Sequence, residues 1–180
     1  MIVGVTGKRL SGKNEVADHL KGRHGFVILD FTQHVLGPIL KDRKKPVDRF
    51  NLTNLALELR REGGPAALAK ILSRKVSHGK NYVIAGIRYP EEVHYMREAF
   101  GSRFVLIAVD APLKDRFRRI RSMNRSKDAG MSMKEFMRTE SLPNEVPIPK
   151  AMRMADFTIR NTGTKRQLGK KVDDIMRRIK

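Results

Sequence analysis

The 180-residue chain contains no cysteine and no tryptophan, and each absence removes a class of function. Without thiols it has no disulfides, no thiolate metal sites and no nucleophilic cysteine, a composition that suits the cytoplasm. Aromatic residues make up only 6%, so platforms for stacking bases are scarce. No apolar run approaches the length of a membrane span. The first apolar stretch is broken by Gly4 and Lys8, which argues against a secretory signal. The expectation is a cytoplasmic protein with no membrane partner. The five histidines (His19, His24, His34, His78 and His94) show no metal-ligand spacing, and no Ser/His/Asp arrangement is legible. Acidic residues are scarce as well. The 38 Lys and Arg face 19 Asp and Glu, leaving a net charge of +19, a field that favours polyanions such as nucleotides, nucleic acid or acidic surfaces.

What is present fits one domain: 40% hydrophobic residues in 180 suffice for a real core. The basic residues cluster between Lys114 and Lys127 and again from Arg153 onward. Part of that charge reads as an ordinary solvated surface.

The most informative stretch is Gly7-Lys8-Arg9-Leu10-Ser11-Gly12-Lys13-Asn14. It fits the phosphate-binding P-loop pattern except at Asn14, where a Ser or Thr hydroxyl on Mg²⁺ is usual. Such a loop turns its backbone N–H groups toward phosphates, and its lysine reaches the outer phosphates as a point charge. Gly7 and Gly12 supply backbone freedom. A helix opening at Lys13 directs its positive dipole end at the anion. The context is right, because Ile2 to Thr6 reads as a buried strand and Glu15 to Leu20 as an amphipathic helix.

Strand and helix patterns alternate along the rest of the chain. Strands are expected at Phe26 to Asp30, Tyr82 to Ala85, Phe104 to Val109 and Phe157 to Ile159. Helices are expected at Thr32 to Lys41, Leu52 to Arg61 with Thr53 as a cap, Pro65 to Ser77, Glu91 to Phe100, Leu113 to Met123 and Lys165 to Lys180. Ser122 to Met133 reads as an exposed mobile loop. Short apolar strands alternating with helices imply a parallel sheet covered on both faces. Ligands of such sheets collect at the carboxyl ends of the strands. That rule groups the P-loop, Asp30, Ile87-Arg88 and Asp110.

The chain also resembles the P-loop nucleoside-monophosphate kinases, most closely the archaeal-type adenylate-kinase-related proteins, with dephospho-CoA kinases as cousins. The matching pieces are Gly4-Val5-Thr6-Gly7 with the loop, Leu59-Arg60-Arg61-Glu62 before Gly64-Pro65, and Ala85-Gly86-Ile87-Arg88 before Pro90-Glu91-Glu92-Val93. Arg125-Ser126-Lys127-Asp128 and Met154-Ala155-Asp156-Phe157 extend the match toward the end. The resemblance implies an α/β three-layer P-loop kinase fold with a five-stranded parallel sheet, a small lid near 115–140, ATP with Mg²⁺, and an acceptor monophosphate. It implies that Gly7, Gly12 and Lys13 hold the donor phosphates, that Arg88 grips the acceptor phosphate, and that Arg116, Arg119 and Arg125 neutralise the phosphoryl group in flight. Asp30 is the candidate carboxylate near Mg²⁺ or the attacking oxygen. Two positions depart from the family: Asn14 replaces the hydroxyl, and Ala85 stands where an acid is usual. Asn14 still offers a carbonyl oxygen to Mg²⁺.

Alternatives stay open at this stage. Asp30 serves equally as a helix cap, Arg88 as a partner of Glu91 or Glu92, and the arginines from 116 to 125 as a plain basic face. A small-molecule kinase is the reading that the loop favours. A degenerate P-loop protein that binds nucleotide and nucleic acid, with little kinase activity, is the alternative that the charge of +19 motivates.

Overall fold

Five strands run parallel in the order β2-β3-β1-β4-β5 in the computed structural model, which describes residues 1–122 and 130–179. They are β1 (Ile2–Thr6), β2 (Val27–Asp30), β3 (Tyr82–Ile87), β4 (Phe104–Asp110) and β5 (Phe157–Arg160). The helices are α1 (Lys13–His24), α2 (Gly37–Asp42), α3 (Arg49–Gly63), α4 (Ala67–Ser73), α5 (Pro90–Phe100), α6 (Leu113–Arg121), α7 (Met133–Thr139), α8 (Ile148–Arg153) and α9 (Lys165–Arg178). The architecture is therefore the α/β sheet expected from the sequence. Among the described residues no helix is long and apolar enough to cross a membrane.

Side chains alternate across a strand, so the central strands β1, β3 and β4 feed two cores. Ile2, Tyr82, Ile84, Phe104 and Leu106 face one layer with residues of α3, α4, α5 and α8. Val3, Val5, Val83, Ile107, Val109 and Ile159 face the other, against Val16, Ala17 and Leu20 of α1 and Leu168, Val172 and Met176 of α9. Burial on both faces explains why the strands read as continuous apolar runs. Each fully buried Leu, Ile or Val contributes about 1.5–3 kcal/mol.

Several boundaries differ from the sequence reading, each for a local reason. Helix α3 begins earlier, capped by Asp48, whose side chain accepts from Asn51 N at 2.8 Å, and Thr53 lies inside the helix. Helix α4 stops at Ser73. The helix expected from Thr32 begins with a π-helical turn over Thr32–Leu36 before continuing as α2. Helices α7 and α8 were not anticipated. The first is set by a capping box in which Ser132 Oγ accepts from Glu135 N and Glu135 accepts from Ser132 N. The mobile loop expected at Ser122 to Met133 lies mostly outside the described residues.

Candidate phosphate-binding site

β1 ends at the centre of the sheet, between β3 and β4, and the Gly7–Asn14 loop leaves from its carboxyl end. Close approach dictates the first glycine. A Cβ on Gly7 would lie 2.3 Å from Val109 O and 2.7 Å from Ser11 Oγ. Gly12 adopts φ 107 and leaves no room either, since a Cβ there would meet Asn161 Nδ2 at 2.4 Å. Leu10 also sits at φ 61, a conformation that non-glycine residues hold only when their surroundings enforce it.

Those surroundings are specific. Arg119 of α6 donates to Leu10 O at 2.9 Å, to Ser11 O at 3.1 Å and to Asn161 O at 2.9 Å. Asn161, just past β5 and buried, donates from Nδ2 to Ser11 O at 2.7 Å. Carbonyls on the outer side of the loop are thus tied to α6 and β5. Arg116 is 3% exposed and donates to Ala111 O at 2.9 Å and Arg9 O at 3.3 Å.

Inside the loop, Lys13 Nζ donates to Lys8 O at 2.9 Å. Its pKa is lowered to about 8, first because burial removes the ammonium from water, then because Arg88 and Arg116 repel it, with Glu145 opposing them. The three cations therefore converge. Arg88 arrives there because β3 carries a bulge beside β1: Val5 pairs with Ala85 but Thr6 pairs with Ile87, and Gly86 is the extra residue. Thr6 Oγ1 fastens the junction by donating to Ile87 O at 2.7 Å.

Two acids from the α7–α8 region answer these cations. Glu140 accepts from Lys8 Nζ at 3.1 Å and pairs with Arg116, while Glu145 pairs with Arg88. Burial pushes the Glu140 carboxyl up, but Arg116 and Lys8 outweigh it, and the net direction is down. Below them lies a buried ion pair: Arg60 donates to Glu92 Oε1 at 2.8 Å, and Glu92 Oε2 accepts from Arg88 N at 2.9 Å and Tyr89 N at 3.3 Å.

Asp30 Oδ1 accepts from Gln33 N at 2.7 Å, so it caps the turn that follows it. Its Oδ2 lies 3.6 Å from His34 Nδ1. Arg88 meets Glu92 through its backbone and Glu145 through its guanidinium, not Glu91. Arg119 grips the loop rather than solvent. Asn14 is exposed at the start of α1, and Ala85 is packed in the core. Arg125 lies outside the described residues. Sequence reasoning missed Glu140, Glu145 and Asn161, since nothing local marks an acid or amide whose partners lie between 24 and 150 positions away.

The sequence profile described as an AAA domain matches residues 3–138. A UPF0200 protein of Aeropyrum pernix is 32% identical over 170 residues, covering 91% of this chain and 86% of that protein. A UPF0200 protein of Pyrococcus horikoshii is 30% identical over 184 residues, 99% of this chain and 97% of the relative. A UPF0200/UPF0201 protein of Archaeoglobus fulgidus is 32% identical over 187 residues, 99% of this chain, and the chain spans only 55% of that longer relative. Among solved structures, TT1252 of Thermus thermophilus superposes with a TM-score of 0.65 at 20% identity, covering 100% of this chain and 98% of the other. Shikimate kinase of Bacteroides thetaiotaomicron gives 0.61 at 14%, covering 98% and 97%. The APS kinase of Mycobacterium tuberculosis gives 0.54 at 19%, covering 98% and 96%. At these identities the structures speak for the fold alone, which is that of P-loop kinases. The chain belongs to the AAA-domain family of P-loop proteins and, with its archaeal relatives, to the UPF0200 proteins.

Proposed function

We infer that this protein binds a nucleoside triphosphate, ATP above all, on the Gly7–Asn14 loop and transfers its terminal phosphoryl group to a small phosphorylated acceptor such as a nucleoside monophosphate. The observation that carries this reading is the convergence of Lys13, Arg88 and Arg116, whose mutual repulsion helps to lower the Lys13 pKa. Glu140 and Glu145 offset two of the four charges of Lys8, Lys13, Arg88 and Arg116, and a polyanion would offset the rest. The solved APS kinase of this fold is in complex with AMPPNP and APS, a pair of ligands of the kind the reading requires.

In this scheme the amides of Gly7 to Asn14 (through Lys8, Arg9, Leu10, Ser11, Gly12 and Lys13) cradle the donor phosphates, and the Lys13 ammonium reaches the outermost. Arg88 holds the acceptor phosphate. An acceptor phosphate oxygen is largely deprotonated at neutral pH and attacks without a base. As the bridging bond to the donor breaks, Arg116, with Arg125 assigned the same role from its sequence position alone, neutralises charge on the moving group, which is the main demand of phosphoryl transfer. Arg119 acts indirectly, by keeping the loop in shape. The donor set suits Mg²⁺, which takes oxygen ligands and keeps several waters. Asn14 Oδ1 and Asp30 Oδ2 would hold it, and the ion would supply neutralising charge at the outer phosphates.

Calorimetry with ATP and Mg²⁺, followed by incubation with a panel of monophosphates and detection of ADP, tests this. Heat on binding and acceptor-dependent ADP are expected. A folded protein that gives no heat with either ATP or GTP overturns the reading. A second outcome follows from Glu145. Glu145→Gln removes the carboxylate that competes for Arg88, a partly exposed pair worth about 1 kcal/mol. The acceptor KM should fall by roughly fivefold with kcat little changed, as steady-state kinetics would show.

A further inference from the structure

A second cluster lies away from the phosphate loop, in the layer where α1 packs on α9. His19 and His24 both bring Nε2 to the same oxygen, Asp173 Oδ1, each at 2.7 Å. One donor atom from each of the three residues lies within 4.8 Å of the others. No local spacing marks the cluster, because Asp173 follows the histidines by about 150 positions.

Two features set this apart from a surface ion pair. The chain has 38 Lys and Arg to offer a carboxylate, yet Asp173 is met by two of only five histidines. The opposite helix is also cut back for one of them. A Cβ on Gly169 would stand 2.7 Å from both Nδ1 and Cε1 of His19. A glycine in the interior of a helix lowers its stability, so α9 gives up helix propensity where the imidazole sits. All three side chains are partly buried, with a solvent path for the remaining coordination positions.

We propose that His19, His24 and Asp173 bind a first-row divalent transition cation of the Zn²⁺ class, joining α1 to α9. Two imidazoles and one carboxylate are a donor set for such ions, with one position left to water. Imidazole nitrogen is a poor ligand for Mg²⁺, so the site is chemically separate from the one proposed at Asn14 and Asp30. The ion takes the place between the three donor atoms that hydrogen bonds to Asp173 Oδ1 now fill. Binding the folded chain selectively, it raises the unfolding temperature. Because the chain has no cysteine, no thiolate competes for the ion.

The test is titration of chelator-treated full-length protein with ZnCl₂ in a calorimeter, repeated with CoCl₂ while recording d–d absorption. One saturable equivalent is expected, with a rise in unfolding temperature and no displacement by millimolar Mg²⁺. His24→Ala should lose that equivalent. Gly169→Ala keeps all three ligands but displaces the His19 ring, and should weaken Zn²⁺ about tenfold or more. Circular dichroism and ATP binding should be unchanged in both variants. The proposal is overturned if wild type shows no saturable Zn²⁺ binding, if Mg²⁺ displaces the ion, or if the equivalent survives in the His19→Ala/His24→Ala double variant. None of these outcomes depends on whether the loop binds nucleotide.

Discussion

Lys13→Ala should weaken ATP binding about a hundredfold and at the same time raise the unfolding temperature of the free protein. Removing the partner of a buried charge costs a complex about 3 kcal/mol, roughly two orders of magnitude in affinity. The free protein responds with the opposite sign. Its lysine titrates at about 8, against 10.5 for an unperturbed lysine, so the folded state binds fewer protons than the unfolded chain between those values. Stability contributed by this group therefore rises with pH across that window and is lowest below it. At neutral pH the strained ammonium costs roughly 3 kcal/mol. Alanine removes that cost and forfeits the bond to Lys8 O, about 1 kcal/mol. For a domain of this size the melting point should climb by about 5 °C. Calorimetric scans and ATP titrations on the same preparation check both signs. A variant that melts lower would mean that the lysine holds the loop together rather than waiting for an anion. In the wild type, ATP affinity should also fall as pH rises through about 8, where the free ammonium is lost, and binding above that pH should take up a proton. The alanine variant should lack that step.

Glu92→Ala should be the most destabilising single change near the site. Glu92 is 0% exposed and Arg60 8%, so truncation strands a guanidinium in the interior and leaves the N–H groups of Arg88 and Tyr89 without their acceptor. Breaking one side of a buried pair costs about 3–5 kcal/mol, or roughly 10 °C here. The Tyr89 ring under Arg60, 4.2 Å from the guanidinium carbon, softens the loss without replacing the carboxylate. Replacing both partners by apolar residues, Arg60→Met with Glu92→Leu, should recover much of the stability, because the penalty lies in the unpaired charge. Urea unfolding of the three proteins decides it. A loss below about 1 kcal/mol for Glu92→Ala would show that the pair is effectively solvated. The acceptor KM should rise in the double variant even as stability returns, since Arg88 loses the anchor that sets its backbone.

Much of the fold was legible because its signals are local. Ile2 to Val5, Tyr82 to Ala85 and Phe104 to Val109 are continuous apolar runs too short for a buried helix, which marks them as strands covered on both sides. The loop was legible because its glycines are fixed by steric contact, as the approach of Gly7 to Val109 O makes plain. The Asp48 cap was open to the same kind of reading, since Asp48 stands three residues before Asn51, but Thr53 drew attention instead. What remained hidden depends on separation. Helix α8 is short and contains a proline within its first turn, so neither length nor periodicity marks it. Glu140 and Glu145 are ordinary acids until folding sets them against Lys8, Arg116 and Arg88. Asp30 shows the limit from the other side: its residue type suited a metal ligand and a cap alike, and the geometry spends one of its oxygens on the cap.

The clasp of Asn161 on Ser11 O joins positions 150 residues apart. The Gly7–Asn14 loop therefore gains this clasp only once β5 has docked beside β4. A fragment ending before Asn161 would carry every residue of the phosphate motif yet lack the amide that holds Ser11 O, so truncation there should loosen the loop without altering its sequence.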